Sequence, residues 1–252
     1  MHIPITVTII TKNAAATLER CLNSVAWADE IIVVDSGSKD ATLAIAKRLA
    51  QRVEHQAWPG YGMQKRYAVS LASNDWILAI DADEWLSPEL IATIQNLFNA
   101  EPKAAGYNIN CRNYFMGQWL KYGEGYPDPH LRLFNRRYGN WQELPIHEQV
   151  LIIGPIGQLQ GDLLHESALS LEDYIAKQNR YTQMQAELLW QNGQRASLVQ
   201  LILRPFWRCI RLCLLRGGCL DGVPGMVHIG IGCFNTFIKY AKLWELERHY
   251  KK

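Results

Sequence analysis

The stretch that most constrains this chain is Asn74-Asp75-Trp76-Ile77-Leu78-Ala79-Ile80-Asp81-Ala82-Asp83-Glu84-Trp85. Trp76 to Ile80 are apolar without a break, as in an inner strand covered on both faces. The run then switches to Asp81, Asp83 and Glu84. Residues two apart in an extended backbone point to the same side. Asp81 and Asp83 can therefore converge at the carboxyl end of the strand, where open α/β sheets place their ligands. Two convergent carboxylates repel unless a cation sits between them, and Mg²⁺ or Mn²⁺ takes one or two carboxylates plus phosphate oxygens. A polar strand end followed by a helix cap would read the same way.

The preceding chain has the matching pattern. Ile5 to Ile10 is a β-branched first strand ending at Thr11-Lys12-Asn13. Leu18, Cys21, Leu22 and Val25 form one helical face. Glu30 to Asp35 is a second buried strand ending in a carboxylate. The turn Ser36 to Asp40 offers Ser38 or Asp40 as N-cap to a helix over about 41–50. Val53 to His55 suits a short third strand, and 63–71 a helix with Gln64, Lys65 and Arg66. This βαβα beginning predicts a parallel sheet with right-handed crossovers. Ser87-Pro88-Glu89 starts a helix. Tyr107, Ile109 and Cys111 alternate with polar residues as a half-exposed strand. Leu131 to Phe134 and Val150 to Ile153 read as strands, and the pattern is helical from Ser170 on.

Composition narrows the function. Of the 252 residues, 48% are hydrophobic, enough for a core without disulfide staples. A net charge of +2 makes no case for nucleic-acid binding. The six cysteines include no C-x-x-C pair and read as reduced thiols of a cytosolic protein. The segment Ile3 to Ile10 is too short for a secretory leader and carries Pro4. No apolar run is long enough for an ordinary transmembrane helix. No Gly-x-Gly-x-x-Gly follows the first strand and no Walker lysine loop exists, so dinucleotide and P-loop readings lack their phosphate cradle. Asn13, Asp35 and Asp81-Ala82-Asp83 would instead lie along one sheet edge, as a nucleotide site built from side chains.

These motifs, Ile9-Ile10-Thr11-Lys12-Asn13, Glu30 to Asp40 and Ala79-Ile80-Asp81-Ala82-Asp83-Glu84, resemble as a set the family 2 glycosyltransferases of the GT-A fold. Arg132-Leu133-Phe134, His147-Glu148 and His165 with Ser170 to Tyr174 resemble the branch that adds sugars to the lipopolysaccharide inner core, a β-1,4-glucosyltransferase being the nearest picture. The resemblance implies an α/β GT-A domain over 1–165, with a mostly parallel sheet and flanking helices, and a helical extension over 166–252. It implies Thr11, Asn13, Asp35, Lys65, Asp81 and Ala82 around a nucleotide-sugar donor, and Asp81, Asp83 and His165 about Mg²⁺ or Mn²⁺. Glu148 would be the base, with Glu143 and Asp128 as competitors. Inverting transfer needs such a base to take the acceptor's proton and a cation at the departing phosphates. The implied acceptor is a lipid-linked glycan, and the implied donor is UDP-glucose.

Each residue also has a plainer role. Asp35 could cap the helix at Ala41, Glu148 could pair with Arg132 or Arg136, and His165 could be structural. Lys65 could be a solvated helix charge. Trp119, Tyr122, Tyr126 and Trp141 could stack on sugars or fill the core. From Leu198 to Leu215 an apolar segment carries Arg204, Arg208 and Arg211 as one stripe, the pattern of a membrane-surface helix. The arginines would face anionic lipid on the inner face of the cytoplasmic membrane, and Pro205 would kink or end the helix.

Overall fold

In the computed structural model, which describes residues 2–144, 148–166 and 170–250, the apolar runs become the centre of a sheet. The strands are β1 (Ile5–Thr11), β2 (Glu30–Asp35), β3 (Arg52–His55), β4 (Trp76–Asp81), β5 (Glu84–Leu86), β6 (Gly106–Phe115), β7 (Gln118–Trp119), β8 (Asp128–Asn135), β9 (Gly139–Trp141), β10 (Val150–Ile152) and β11 (Ile156–His165). The helices are α1 (Leu18–Ser24), α2 (Thr42–Leu49), α3 (Tyr61–Ser70), α4 (Pro88–Asn99), α5 (Leu171–Gln191), α6 (Leu198–Ile210) and α7 (Gly222–Tyr250). The main sheet runs β3-β2-β1-β4-β8-β6-β11-β5, with β7 paired to the end of β6 and β9 paired to β10 apart. β3, β2, β1 and β4 are parallel neighbours. β8 joins β4 antiparallel, and so does β5 with β11. This is the GT-A arrangement expected from the sequence, with its parallel strands grouped on one side.

Alternation along the parallel strands builds two apolar layers. Ile5, Val7, Ile9, Ile31, Val33, Leu78 and Ile80 point to one face, which α1, α2 and α4 cover with Leu18, Leu22, Ala46, Leu90 and Phe98. Ile10, Ile32, Val34, Ile77 and Ala79 point to the other, covered by Ala68 and Val69 of α3 with Phe134 and Trp141. Both faces are dry, which explains why these strands read as continuous apolar runs. The predicted cap at Ser87 is formed: its side chain accepts from the Leu90 N–H at 3.2 Å, with Pro88 at the first helical position. At α2 the N-cap position falls on Ala41, and Asp40 Oδ1 accepts from the Thr42 N–H at 3.0 Å.

The chain forms two compact units, Met1–Cys111 with Pro129–His165, and Arg112–Asp128 with Glu166–Lys252. In the second, α5, α6 and α7 enclose a small core of Ala186, Tyr240 and Leu243, edged by Leu189, Trp190 and Leu201. Two expectations are narrowed here. Pro205 lies inside α6 and does not end it. The missing N–H removes one hydrogen bond, and the helix is held on α7 by its other side chains. Regular α geometry gives way later, in a π turn at Arg211–Leu215. The arginine stripe is not presented outward as a whole: Arg204 donates to the Tyr240 hydroxyl, and Arg208 to Glu124 and Thr236. Glu124 and Thr236 draw Arg208 onto the protein, Arg204 stays exposed while it donates to Tyr240, and the apolar face of α6 is exposed as well.

Candidate active site

The carboxyl ends of β1, β2 and β4 carry the polar cluster. Parallel register sets Thr11 beside Asp35 and Ile10 beside Asp81. Asp35 is buried, and its Oδ2 accepts from the N–H groups of Gly37 (2.8 Å) and Ser38 (2.9 Å). The Ser38 hydroxyl also donates to Asp35. Gly37 has a φ of +86°, which favours a glycine in this turn. Asn13 has a φ of +51° and accepts from the Lys39 N–H at 2.8 Å, while its own N–H donates to the Ser38 hydroxyl. Asn13, Ser38 and Asp35 thus form one linked turn, and every Asp35 hydrogen bond named here serves it. Thr11 is buried with its hydroxyl unpaired, and so is the Gln64 carbonyl oxygen; the Gln64 amide donates to Ser36 at 3.0 Å. Unpaired buried polar atoms at a sheet edge are what a ligand would satisfy. The side chain of Gln64, known from the sequence only as a helix residue, belongs to this edge.

At the end of β4 lies a network of five charges. Lys65 Nζ lies 3.1 Å from Asp81 Oδ1 and donates to Glu148 Oε1 at 2.8 Å. Arg132 Nη2 donates to Glu84 Oε1 at 2.6 Å and to Asp81 Oδ2 at 3.2 Å. Glu84 Oε2 accepts from the Asp81 N–H at 2.8 Å, which fixes the backbone of the strand end. Burial opposes the charge of Asp81, yet Lys65 and Arg132 hold its carboxyl well below the usual range. Burial pushes the Glu84 carboxyl up, against the pull of Arg132. Lys65 also lies 4.7 Å from the centre of the Trp141 ring. Lys65 is therefore no solvated helix charge, and Glu148 pairs with it rather than with Arg132 or Arg136. Trp141 is a core residue, 6.3 Å from Phe134. Glu143 faces outward, 60% exposed and 3.3 Å from Arg66; Asp128 lies in the second unit. His147 is outside the described residues. Trp119 sits against Tyr114 at 5.0 Å, and Arg112 against Tyr126 at 5.6 Å.

Asp83 and His165 meet because β11 runs antiparallel to β5, with His165 opposite Glu84. His165 Nε2 lies 3.4 Å from Asp83 Oδ2. Burial disfavours the imidazolium, but the Asp83 carboxylate raises its pKa well above the ordinary value. Among the described residues no group of three His, Cys, Asp or Glu side chains is gathered for a metal. The Asp83–His165 pair nonetheless fits one as a partial site. Adjacent ligands about 2.1 Å from an ion lie roughly 3 Å apart, near the observed spacing, and Mg²⁺ and Mn²⁺ take further ligands from phosphate and water. Ala82, between the carboxylates, is buried. Asp81 is engaged by Lys65 and Arg132, so a metal would compete with two cations there.

The profile of the family "Glycosyl transferase family 2" matches residues 6–151. An uncharacterized glycosyltransferase of Rickettsia typhi is 34% identical, over 94% of this chain and 86% of its own length. A lipopolysaccharide core biosynthesis glycosyltransferase, LpsC, of Rhizobium meliloti is 30% identical, over 96% and 93%. Among solved structures, S. aureus TarS 1-349 in complex with UDP-GlcNAc aligns with a TM-score of 0.49 at 16% identity, over 98% of this chain and 92% of that one.

Proposed function

Because this chain belongs to glycosyl transferase family 2, we propose that it transfers a hexose, glucose from UDP-glucose, with inversion, onto a lipid-linked glycan of the lipopolysaccharide core. The observation that carries the reading is the convergence of Asp81, Lys65 and Glu148 at the end of β4, beside the unpaired Thr11 and Gln64 oxygens. Support for the acceptor comes from the resemblance of the later motifs and from the printed role of LpsC. On this reading the enzyme works peripherally on the inner face of the cytoplasmic membrane. No helix among the described residues is long and apolar enough to cross one.

The chain's own residues divide the work. Thr11, Gln64 and the Asn13–Asp35 turn border the nucleoside. Lys65 and Arg132 place positive charge where the diphosphate departs. Glu148 takes the proton of the attacking acceptor hydroxyl as the sugar–phosphate bond breaks, and Lys65 orients its carboxylate. Asp83 and His165 would hold Mg²⁺ or Mn²⁺, which supplies further charge to the leaving phosphates. Glu148→Gln should lower kcat by about 100-fold or more and leave UDP affinity nearly unchanged. Asp83→Ala should remove any Mn²⁺-dependent thermal stabilisation by UDP. Full activity in Glu148→Gln would overturn the base. Stabilisation by no nucleoside diphosphate, with or without metal, would overturn the donor site.

A further inference from the structure

We propose that α6 is the membrane-contacting element, and that it attaches by inserting its apolar face into the bilayer interface rather than by laying its arginine stripe on the headgroups. This deepens the peripheral-membrane reading above and rests on it. Leu198, Val199, Ile202, Leu203, Phe206 and Trp207 recur as adjacent pairs every four residues, one continuous helical face. All six are more than half exposed, from 57% for Leu203 and Trp207 to 66% for Phe206. The opposite face makes the contacts with the protein: Leu201 edges the small core, Arg208 meets Glu124 and Thr236, and Arg204, itself exposed, donates to Tyr240. The helix is amphipathic in the inverse sense of a soluble surface helix, and contiguous apolar patches of this kind mark interaction sites.

Charge selects the occupant. From 197 to 220 there is no aspartate or glutamate, and Arg211 and Arg216 are exposed where α6 gives way to the π turn. Leu214 and Leu215, beside them, are 74% and 70% exposed. A second copy would bring the same carboxylate-free, arginine-edged face to this one. An anionic leaflet instead supplies apolar depth beneath a negative surface, matching both features. A helix lying in the interface plane also needs no apolar span, and no helix among the described residues is long and apolar enough to cross a membrane.

Flotation of the full-length protein with vesicles of phosphatidylcholine and phosphatidylglycerol tests this, with UDP-glucose turnover measured on the same samples. The protein should float and remain bound at about 1 M salt, where the Debye length is about 3 Å. The double variant Phe206→Ser/Trp207→Ser should bind about 30-fold more weakly, with unchanged thermal midpoint and donor turnover. Binding abolished by salt and unaffected by the double variant would overturn insertion while leaving peripheral attachment intact. No flotation under any condition would overturn both, whatever the turnover. A vesicle-free dimer that the double variant converts to monomer would assign the face to a second copy and overturn the proposal.

Discussion

In the sheet unit the large apolar side chains of β1, β2 and β4 lie inside, on both faces of the sheet, with Leu151, Ile153 and Ile156 exposed at its margin, and charges gather at the strand ends. In the helical unit the arrangement is partly reversed. Arg208 and Glu124 pair on the inward side, and buried Asp221 accepts from the N–H groups of Lys121 and Tyr122 at 2.9 Å each. Phe206, Trp207, Leu214, Leu215 and Leu220 face outward. A unit that buries its apolar surface is complete by itself. One that exposes it has a stability and solubility that depend on what it meets. The sheet unit is therefore suited to hold a fixed site, and the helical unit, on the proposal above, to meet a lipid surface.

The sharpest way to break this contrast is at the buried charges of the sheet unit. Arg132→Met leaves Glu84 and Asp81 without their guanidinium, and Glu84 is 2% exposed. Removing one partner of a buried pair costs about 3–5 kcal/mol, so the urea midpoint should fall sharply. The double variant Arg132→Met/Glu84→Leu should recover much of the loss, because no stranded charge remains at position 84. Equal loss in both variants would show that the pair is not what holds the strand end.

The next effect tests how the site is positioned. A Cβ on Gly62 would lie 2.0 Å from the Gln142 carbonyl oxygen and 2.7 Å from that of Leu144. These are backbone atoms of the segment leading to Glu148, and Gly62 N–H donates to the Leu144 carbonyl at 3.0 Å. Gly62→Ala should cost about 1–3 kcal/mol by overpacking, and should lower kcat more than UDP affinity, because Lys65 and Glu148 lose register. Unchanged kinetics would separate this close approach from the chemistry.

Much of the sheet was legible because its signals are local. The β-branched runs at Ile5 and Glu30, the apolar run ending at Asp81 and the Ser87-Pro88 start each lie within a few residues. β5 and β11 escaped notice. Three residues carry no period, and Gly157, Gly161 and Asp162 interrupt the alternation of β11. Gly161, at φ +89°, sits where a Cβ would meet the Leu90 backbone nitrogen at 2.4 Å, so its reason lies on α4. The residues of the site were visible singly. The Lys65–Glu148 contact, 83 positions apart in the chain, was not. The arginine stripe was read correctly as a stripe, but its direction depends on Glu124, Thr236 and Tyr240. An amphipathic pattern by itself does not say which face meets the protein.

That ambiguity gives the third test. The Arg208 and Glu124 side chains are 29% and 35% exposed, unlike the Arg132 pair. Arg208→Met should therefore cost only about 1 kcal/mol. A thermal shift as large as that of Arg132→Met would show the helical unit to be as charge-dependent as the sheet.

The smallest effect is the most telling. A large apolar residue in a core is expensive to truncate, about 3–5 kcal/mol for Phe to Ala, because its contacts are lost and a cavity remains. Phe206 is 66% exposed, so Phe206→Ser should change the vesicle-free unfolding free energy by no more than about 0.5 kcal/mol. Phe98→Ala, inside the sheet unit at 1% exposure, supplies the control at the other end of the scale. Removing exposed phenyl surface should also raise the concentration at which the protein stays monodisperse, by light scattering. If Phe206→Ser instead destabilised the protein as Phe98→Ala does, its ring would be part of a core, and the contrast between the two units would fail there.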